Sequence, residues 1–173
     1  MSKTSRKSVM QVSRRYVGKR LAEYYAQPAD RVVGSSPGVD KSNLSSLLGE
    51  WQWRRLFRKL YEQREGHWLT PVEIFRPHYS NILANFVAET VADNSIPSAI
   101  DIVEIGGGRG TNASLILSHL RKTQPEIYSA LTYTLVDSSP SLHRLQQETL
   151  ASGDHADKMK FELKDLMDVA ENK

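Results

Sequence analysis

The second half of the chain alternates between two hydrophobic spacings, one typical of buried strands and one typical of amphipathic helices. Short apolar runs rich in β-branched residues cover residues 99–105, 131–136 and 159–163. Between them, residues 111–121 and 140–153 carry apolar side chains at helical spacing. The order β-α-β-α-β predicts a parallel sheet with helical crossovers, so we expect an α/β fold.

The first half of the chain predicts helices only. Helical spacing runs from residue 43 to residue 65, and Gly66 is expected to end that helix. Thr70, Pro71 and Glu73 then form the pattern of a capping box, which predicts a new helix beginning at Pro71. After Pro77 the spacing predicts a half-buried helix with one apolar stripe, made of Tyr79, Ile82, Leu83, Phe86, Val87 and Val91.

The N-terminus is basic and contains no acidic residue before Glu23. Its cationic residues are Lys3, Arg6, Lys7, Arg14, Arg15, Lys19 and Arg20, interspersed with serines. This composition is typical of an organellar transit peptide and predicts mitochondrial import. A solvated basic tail or an RNA-contacting arm are the alternatives, and nucleic acid is the weaker one because Tyr16 is the lone aromatic residue there.

Composition narrows the class of protein further. The chain has 173 residues, of which 39% are hydrophobic and 25% charged, as in a globular protein with one ordinary domain. It has no cysteine, and its five histidines are scattered without zinc-ligand spacing, so no metal site is expected. No apolar run is long enough to cross a membrane. We divide the chain into a disordered basic targeting segment and linker (1–42), a helical region (43–95) and a cofactor-binding domain (96–173).

Glycines follow the first predicted strand at once, at Gly106, Gly107, Gly108 and Gly110, and Thr111 begins the next helix. In a parallel α/β sheet, ligands bind where such a strand turns into its helix. Glycines there permit unusual backbone torsions and let backbone approach a ligand closely. A tight turn without a ligand is the alternative, but it would need only one or two glycines.

The spacing of this loop narrows the choice of ligand. A phosphate-binding Walker loop needs a lysine before its Ser or Thr, and none precedes Thr111. A dinucleotide loop reads G-x-G-x-x-G, whereas Gly106, Gly108 and Gly110 are spaced G-x-G-x-G. Glu104 would repel a pyrophosphate and could instead receive an ammonium group. S-adenosylmethionine has an ammonium group and no phosphate.

Carboxylates are also expected at the ends of the next two strands. Asp137 can accept both hydroxyls of a ribose, although it could equally be an acidic residue at a helix start. Asp165 follows the third strand, where an acidic residue can face an adenine. We therefore expect cofactor contacts from Glu104 to Thr111, including the side chain of Arg109 unless it is a plain surface residue, and from both aspartates.

These motifs resemble the MidA-like methyltransferases, which include a mitochondrial protein-arginine methyltransferase that assists assembly of respiratory complex I. The resemblance rests on the loop at 104–111, the turn Val136-Asp137-Ser-Ser-Pro-Ser-Leu142 and the upstream segment Trp68-Leu-Thr-Pro-Val-Glu73. It implies a Rossmann-like class I methyltransferase fold, S-adenosylmethionine as cofactor, a mitochondrial matrix location and methylation of arginine on a complex I subunit. Such a sheet usually has seven strands, so the resemblance also implies a fold truncated after the third.

Three functions follow from these patterns. The first is an S-adenosylmethionine-dependent protein methyltransferase, for which the sequence assigns no catalytic residue. The second is a non-catalytic binding or assembly protein that keeps a methyltransferase-like half-domain. The third is an NAD-dependent oxidoreductase, which would require the last glycine one residue later than Gly110.

Overall fold

A computed structural model describes residues 16–36, 38–39, 45–62, 68–92 and 99–164. The helices within these ranges are residues 16–25 (α1), Ala29–Val32 (α2), Glu50–Glu62 (α3), Pro71–Phe75 (α4), His78–Ala92 (α5), Thr111–Thr123 (α6), Pro125–Ala130 (α7) and Pro140–Ser152 (α8). The strands are Ile100–Ile105 (β1), Leu131–Asp137 (β2) and Met159–Leu163 (β3). A short 3-10 turn, Ala156–Lys158, precedes β3.

The strands form a parallel sheet in the order β1-β2-β3 over the described residues. Ile105 pairs with Val136, and Asp137 pairs with Leu163, so the carboxyl ends of all three strands lie at the same edge. This arrangement confirms the predicted α/β, Rossmann-like order of elements. It also places the glycine loop and Asp137 side by side.

The main hydrophobic core lies between one face of the sheet and the helices α5, α6 and α7. Leu117 and Leu120 of α6 and Leu135 of β2 are fully buried in it. On the opposite face, Val103 and Ile105 of β1 remain 60% and 52% exposed. Helices α5, α6 and α7 therefore cover one face of this sheet.

Helix α5 buries half of the predicted apolar stripe, since Leu83, Val87 and Val91 pack against the core while the other members are exposed. Its buried residues are Ser80 and Ala84, whereas Ile82 and Phe86 of the predicted apolar stripe are 69% and 65% exposed. Small side chains allow the backbone of α5 to approach α6 closely, and Ala84 packs there with Ala113. The buried face of α5 therefore combines these small residues with Leu83, Val87 and Val91 of the predicted stripe.

The N-terminal part of the chain is helical where we expected a disordered segment and linker. The hydroxyl of Tyr24 donates to the carbonyl of Val32 at 2.9 Å, which joins α1 to α2. Val32 and Val33 are buried against Leu142 of α8. Long-range packing against α8 thus orders a segment whose composition predicts disorder.

Among the described helices, none has the length and apolar character needed to cross a membrane.

Candidate functional site

A cavity of about 940 Å³ opens at the carboxyl ends of β1 and β2. This volume lies within the range of about 300–1,000 Å³ that small-molecule pockets occupy. Its walls include Ile105, Gly106 and Gly108 after β1, Val136, Asp137 and Ser138 at the end of β2, Pro140 and Leu142 of α8, Lys164, and residues of α1. The cavity therefore lies where an α/β sheet binds its ligand.

The glycine loop serves two separate purposes. A Cβ atom on Gly107 would lie 2.4 Å from Leu135, and one on Gly110 would lie 3.2 Å from the Cα of Gln146. Close packing therefore requires glycine at both positions. Gly106 and Gly108 have φ values of +71° and +56°, and a Cβ added to either would meet no atom within 4 Å. These two glycines line the cavity and leave backbone open to a ligand.

Asp137 lies at the cavity wall and is only 7% exposed. One carboxylate oxygen accepts a hydrogen bond from the backbone N–H of Ser139 at 2.9 Å, and the other accepts one from Nε2 of Gln146 at 2.9 Å. Each carboxylate oxygen can accept a further hydrogen bond, because it has two lone pairs. Asp137 is thus held in a fixed orientation while it can still accept from ribose hydroxyls.

Gln146 is a site residue that the sequence analysis missed. Its side-chain amide donates to Asp137 and also to the carbonyl of Gly108 at 3.0 Å, which ties the glycine loop to the end of β2. Both partners are acceptors, which defines the orientation of the amide. A signal was present in the sequence, because Gln146 lies between Leu142 and Leu150 on the buried face of α8. A polar residue on such a stripe indicates a buried partner.

Glu104 lies beneath the glycine loop and is not part of the cavity wall. Its carboxylate accepts hydrogen bonds from Asn112 at 2.9 Å and from the hydroxyl of Tyr133 at 3.0 Å. Asn112 in turn accepts from the buried hydroxyl of Ser80 at 2.8 Å. Burial, reinforced by the Glu104 carboxylate, raises the pKa of Tyr133, so this phenol remains a donor. The structure shows Glu104 supporting the loop, and its contact with an ammonium group stays a prediction.

Arg109 and Thr111 turn away from the cavity toward other parts of the chain. The guanidinium of Arg109 pairs with Asp30 at 2.6 Å and donates to the carbonyl of Val33 at 3.1 Å. The hydroxyl of Thr111 donates to the carboxylate of Glu73 at 2.5 Å. Their side chains therefore fasten neighbouring segments to the loop.

Glu73 forms only half of the predicted capping box. Its backbone N–H donates to Thr70 Oγ1 at 3.4 Å, as expected. Its carboxylate, only 2% exposed, instead accepts from Thr111 and from the backbone N–H of Ser36 at 3.4 Å, and lies 3.7 Å from Arg76. Glu73 joins α4, α6 and the N-terminal segment, because a buried carboxylate requires partners on every side.

Asp165 lies outside the described residues. Its neighbour Lys164 does line the cavity, with its backbone N–H donating to the carbonyl of Asp137 at 3.0 Å. Among the described residues, no group of three or more His, Asp or Glu side chains could hold a metal ion. The site is thus built from backbone of the glycine loop, the carboxylate of Asp137 and mostly apolar walls.

These features define a Rossmann-like cofactor-binding protein, in which open glycine backbone and the buried carboxylate of Asp137 meet at the ends of two parallel strands. The model of a family described as "Putative S-adenosyl-L-methionine-dependent methyltransferase" matches residues 82–173, more than half of the chain. The chain belongs to this family. Its cofactor is S-adenosylmethionine, and the residues at the cavity fit that molecule.

Among solved structures, the chain is similar to a COG1565 superfamily member from Burkholderia thailandensis bound to S-adenosyl-homocysteine. The two share 24% sequence identity with a TM-score of 0.48, and the alignment covers 57% of this chain. This chain spans 24% of the length of that protein. No curated protein matches the chain.

Proposed function

We propose that this protein is an S-adenosylmethionine-dependent methyltransferase that modifies a protein substrate. The observation that carries the proposal is the pair Gly106 and Gly108, whose backbone opens onto the cavity beside Asp137. The resemblance to MidA-like methyltransferases supports a finer assignment, namely arginine on a subunit of respiratory complex I and a role in assembly of that complex. It also supports location in the mitochondrial matrix, in line with the basic N-terminus.

In this proposal, each part of the loop has a separate task. Backbone at Gly106 and Gly108 receives the methionine end of the cofactor, and Asp137 accepts from its ribose hydroxyls. The bound cofactor supplies an activated methyl group on a sulfonium. The protein contributes orientation and exclusion of water, because methyl transfer depends mainly on the correct placement of the two reactants.

Substitution of Gly108 by Ala tests the role of the loop. Alanine at position 108 would have to keep a backbone φ of +56°, which costs roughly 1–2 kcal/mol of folding stability. Its Cβ would also enter the cavity. We expect at least about tenfold weaker binding of S-adenosylmethionine by calorimetry, because the added methyl group takes up space beside the backbone that receives the cofactor; tenfold corresponds to about 1.4 kcal/mol. Gly49→Ala is the matched control, because a Cβ there meets nothing within 4 Å and its φ is ordinary. Equal affinity of both variants would contradict the assignment.

Catalysis needs its own experiment, separate from cofactor binding. Incubation of the protein with S-adenosylmethionine labelled on the methyl group and with a mitochondrial extract should transfer label to protein, and amino-acid analysis should find it on arginine. Binding without any transfer would support the non-catalytic alternative. Label on another residue would keep the methyltransferase and overturn the arginine assignment.

Location can be tested with the basic segment alone. A reporter fused to residues 1–40 should colocalise with mitochondria if the segment directs import. A reporter in which the lysines and arginines of residues 1–20 are replaced by glutamine is the control. Diffuse cytosolic fluorescence of the unmodified fusion would contradict the proposed location.

A further inference from the structure

Helix α1 forms one wall of the cavity that the glycine loop also lines. Leu21, Tyr24 and Tyr25 of α1 line the cavity together with Val32 and Val33 that follow it. The wall is therefore apolar and aromatic where the glycine loop is polar backbone. Aromatic side chains of this kind suit a flat ring system, since a tyrosine ring offers apolar area and a polar edge.

The segment that carries this wall is fastened to the cofactor-binding loops themselves. The hydroxyl of Ser139 donates to the carbonyl of Tyr25 at 2.7 Å, and the hydroxyl of Ser141 donates to the carbonyl of Gln27 at 2.8 Å. On the other side, Arg109 of the glycine loop pairs with Asp30. Both loops that would hold the cofactor therefore also hold the N-terminal segment.

We propose that residues 16–36, here called the N-terminal cover, are part of the S-adenosylmethionine site and enclose the cofactor against the glycine loop. This inference rests on the proposed function, because it takes the cavity to be the cofactor site. Cofactor and cover contact the same two loops, so binding of one stabilises the bound position of the other. The cover is thus a binding element of the cofactor site.

A charge placed in the apolar wall tests the contact. Leu21→Asp would put a carboxylate on the cavity wall, and we expect binding of S-adenosylhomocysteine to weaken about tenfold or more, because a ligand seated there would remove this charge from water without a partner for it. Val17→Asp is the matched control. Val17 lies on the same helix, is 53% exposed compared with 49% for Leu21, and does not line the cavity.

The ion pair between the cover and the glycine loop allows a second, milder test. Asp30→Asn removes the charge that pairs with Arg109, and because Asp30 is 79% exposed we expect affinity to fall only about two- to fivefold. Glu23→Gln is the control, since Glu23 pairs only within α1, with Lys19 and Arg20, among its described contacts. Circular dichroism shows whether each variant remains folded.

Hydrogen exchange of the unmodified protein supplies a readout that does not depend on mutation. Saturating S-adenosylhomocysteine should slow exchange in peptides from residues 16–36 as well as at the glycine loop. Suppose that exchange slows at the glycine loop alone and that Leu21→Asp and Val17→Asp bind S-adenosylhomocysteine with equal affinity. This result would contradict a role of the N-terminal cover in binding and leave the proposed function standing. No binding to the unmodified protein would instead overturn the proposed function.

Discussion

Substitution of Gln146 by leucine tests how the site is held together, because it leaves every residue that lines the cavity unchanged. Leucine has a similar size and suits the buried face of α8, where Leu142 and Leu150 are its neighbours. The change removes the amide that donates to Gly108 and to Asp137. It therefore removes the hydrogen-bonded link between the glycine loop and Asp137 while both keep their own residues.

The expected loss of stability can be worked out from the contacts. The bond to the Asp137 carboxylate contributes about 1.5–3 kcal/mol, and the bond to the Gly108 carbonyl about 1 kcal/mol. Some of this is recovered, because Oε1 of Gln146 is buried without a hydrogen-bond partner among the described residues. We expect a net loss of about 1–3 kcal/mol, which lowers the melting temperature by roughly 3–10 °C in a chain of this size.

Thermal melts of Gln146→Leu and Gln147→Leu measure this difference directly. Gln147 is the adjacent residue on α8 and is exposed, so its replacement should change stability by less than about 0.5 kcal/mol. Calorimetry with S-adenosylmethionine should also show weaker binding for Gln146→Leu alone, because Asp137 and the loop are no longer held together. Equal melting temperatures and affinities for the two variants would refute this reasoning.

Two further predictions concern buried groups near the site and in the core. Glu73→Ala would leave Thr111, Ser36 and Arg76 without their carboxylate, and urea unfolding should show a loss of about 2–4 kcal/mol, whereas the exposed Glu89→Ala should lose less than about 0.5 kcal/mol. Similar losses in both variants would contradict the role of Glu73. Burial, with the nearby Arg121 as a smaller cause, lowers the pKa of His155, which is fully buried between Ser118 and Tyr128. Its neutral form therefore stabilises the fold above about pH 6.5, and this contribution is lost as the pH falls below that value, where the unfolded chain takes up the proton. Unfolding measured at pH 7.5 and pH 5.5 should show a larger loss of stability for the unmodified protein than for His155→Gln; the same loss in both would contradict the assignment.

Local patterns in the sequence predicted the strands, the glycine loop and Asp137. The strands follow from short β-branched runs, and the loop follows from glycines placed between a strand and a helix. Asp137 at the cavity wall follows from the parallel register, which brings the ends of β1 and β2 together. These features depend on a few neighbouring residues or on a general rule of parallel sheets.

The remaining features depend on contacts between distant parts of the chain. Ser139 and Tyr25 are 114 residues apart, so no local pattern could indicate that the N-terminal segment lies against the site. The position of Glu104 below the loop also depends on other elements, because its hydrogen-bond partners Asn112 and Tyr133 belong to α6 and β2. Only Gln146 carried a readable signal, as a polar residue on the apolar face of a helix.

Isothermal titration with S-adenosylmethionine and, separately, with NAD tests the central claim most directly. The family of the chain and the G-x-G-x-G spacing of Gly106, Gly108 and Gly110 favour S-adenosylmethionine over NAD, so we predict one S-adenosylmethionine bound per chain and no heat of binding with NAD. Binding of NAD without binding of S-adenosylmethionine would contradict the account.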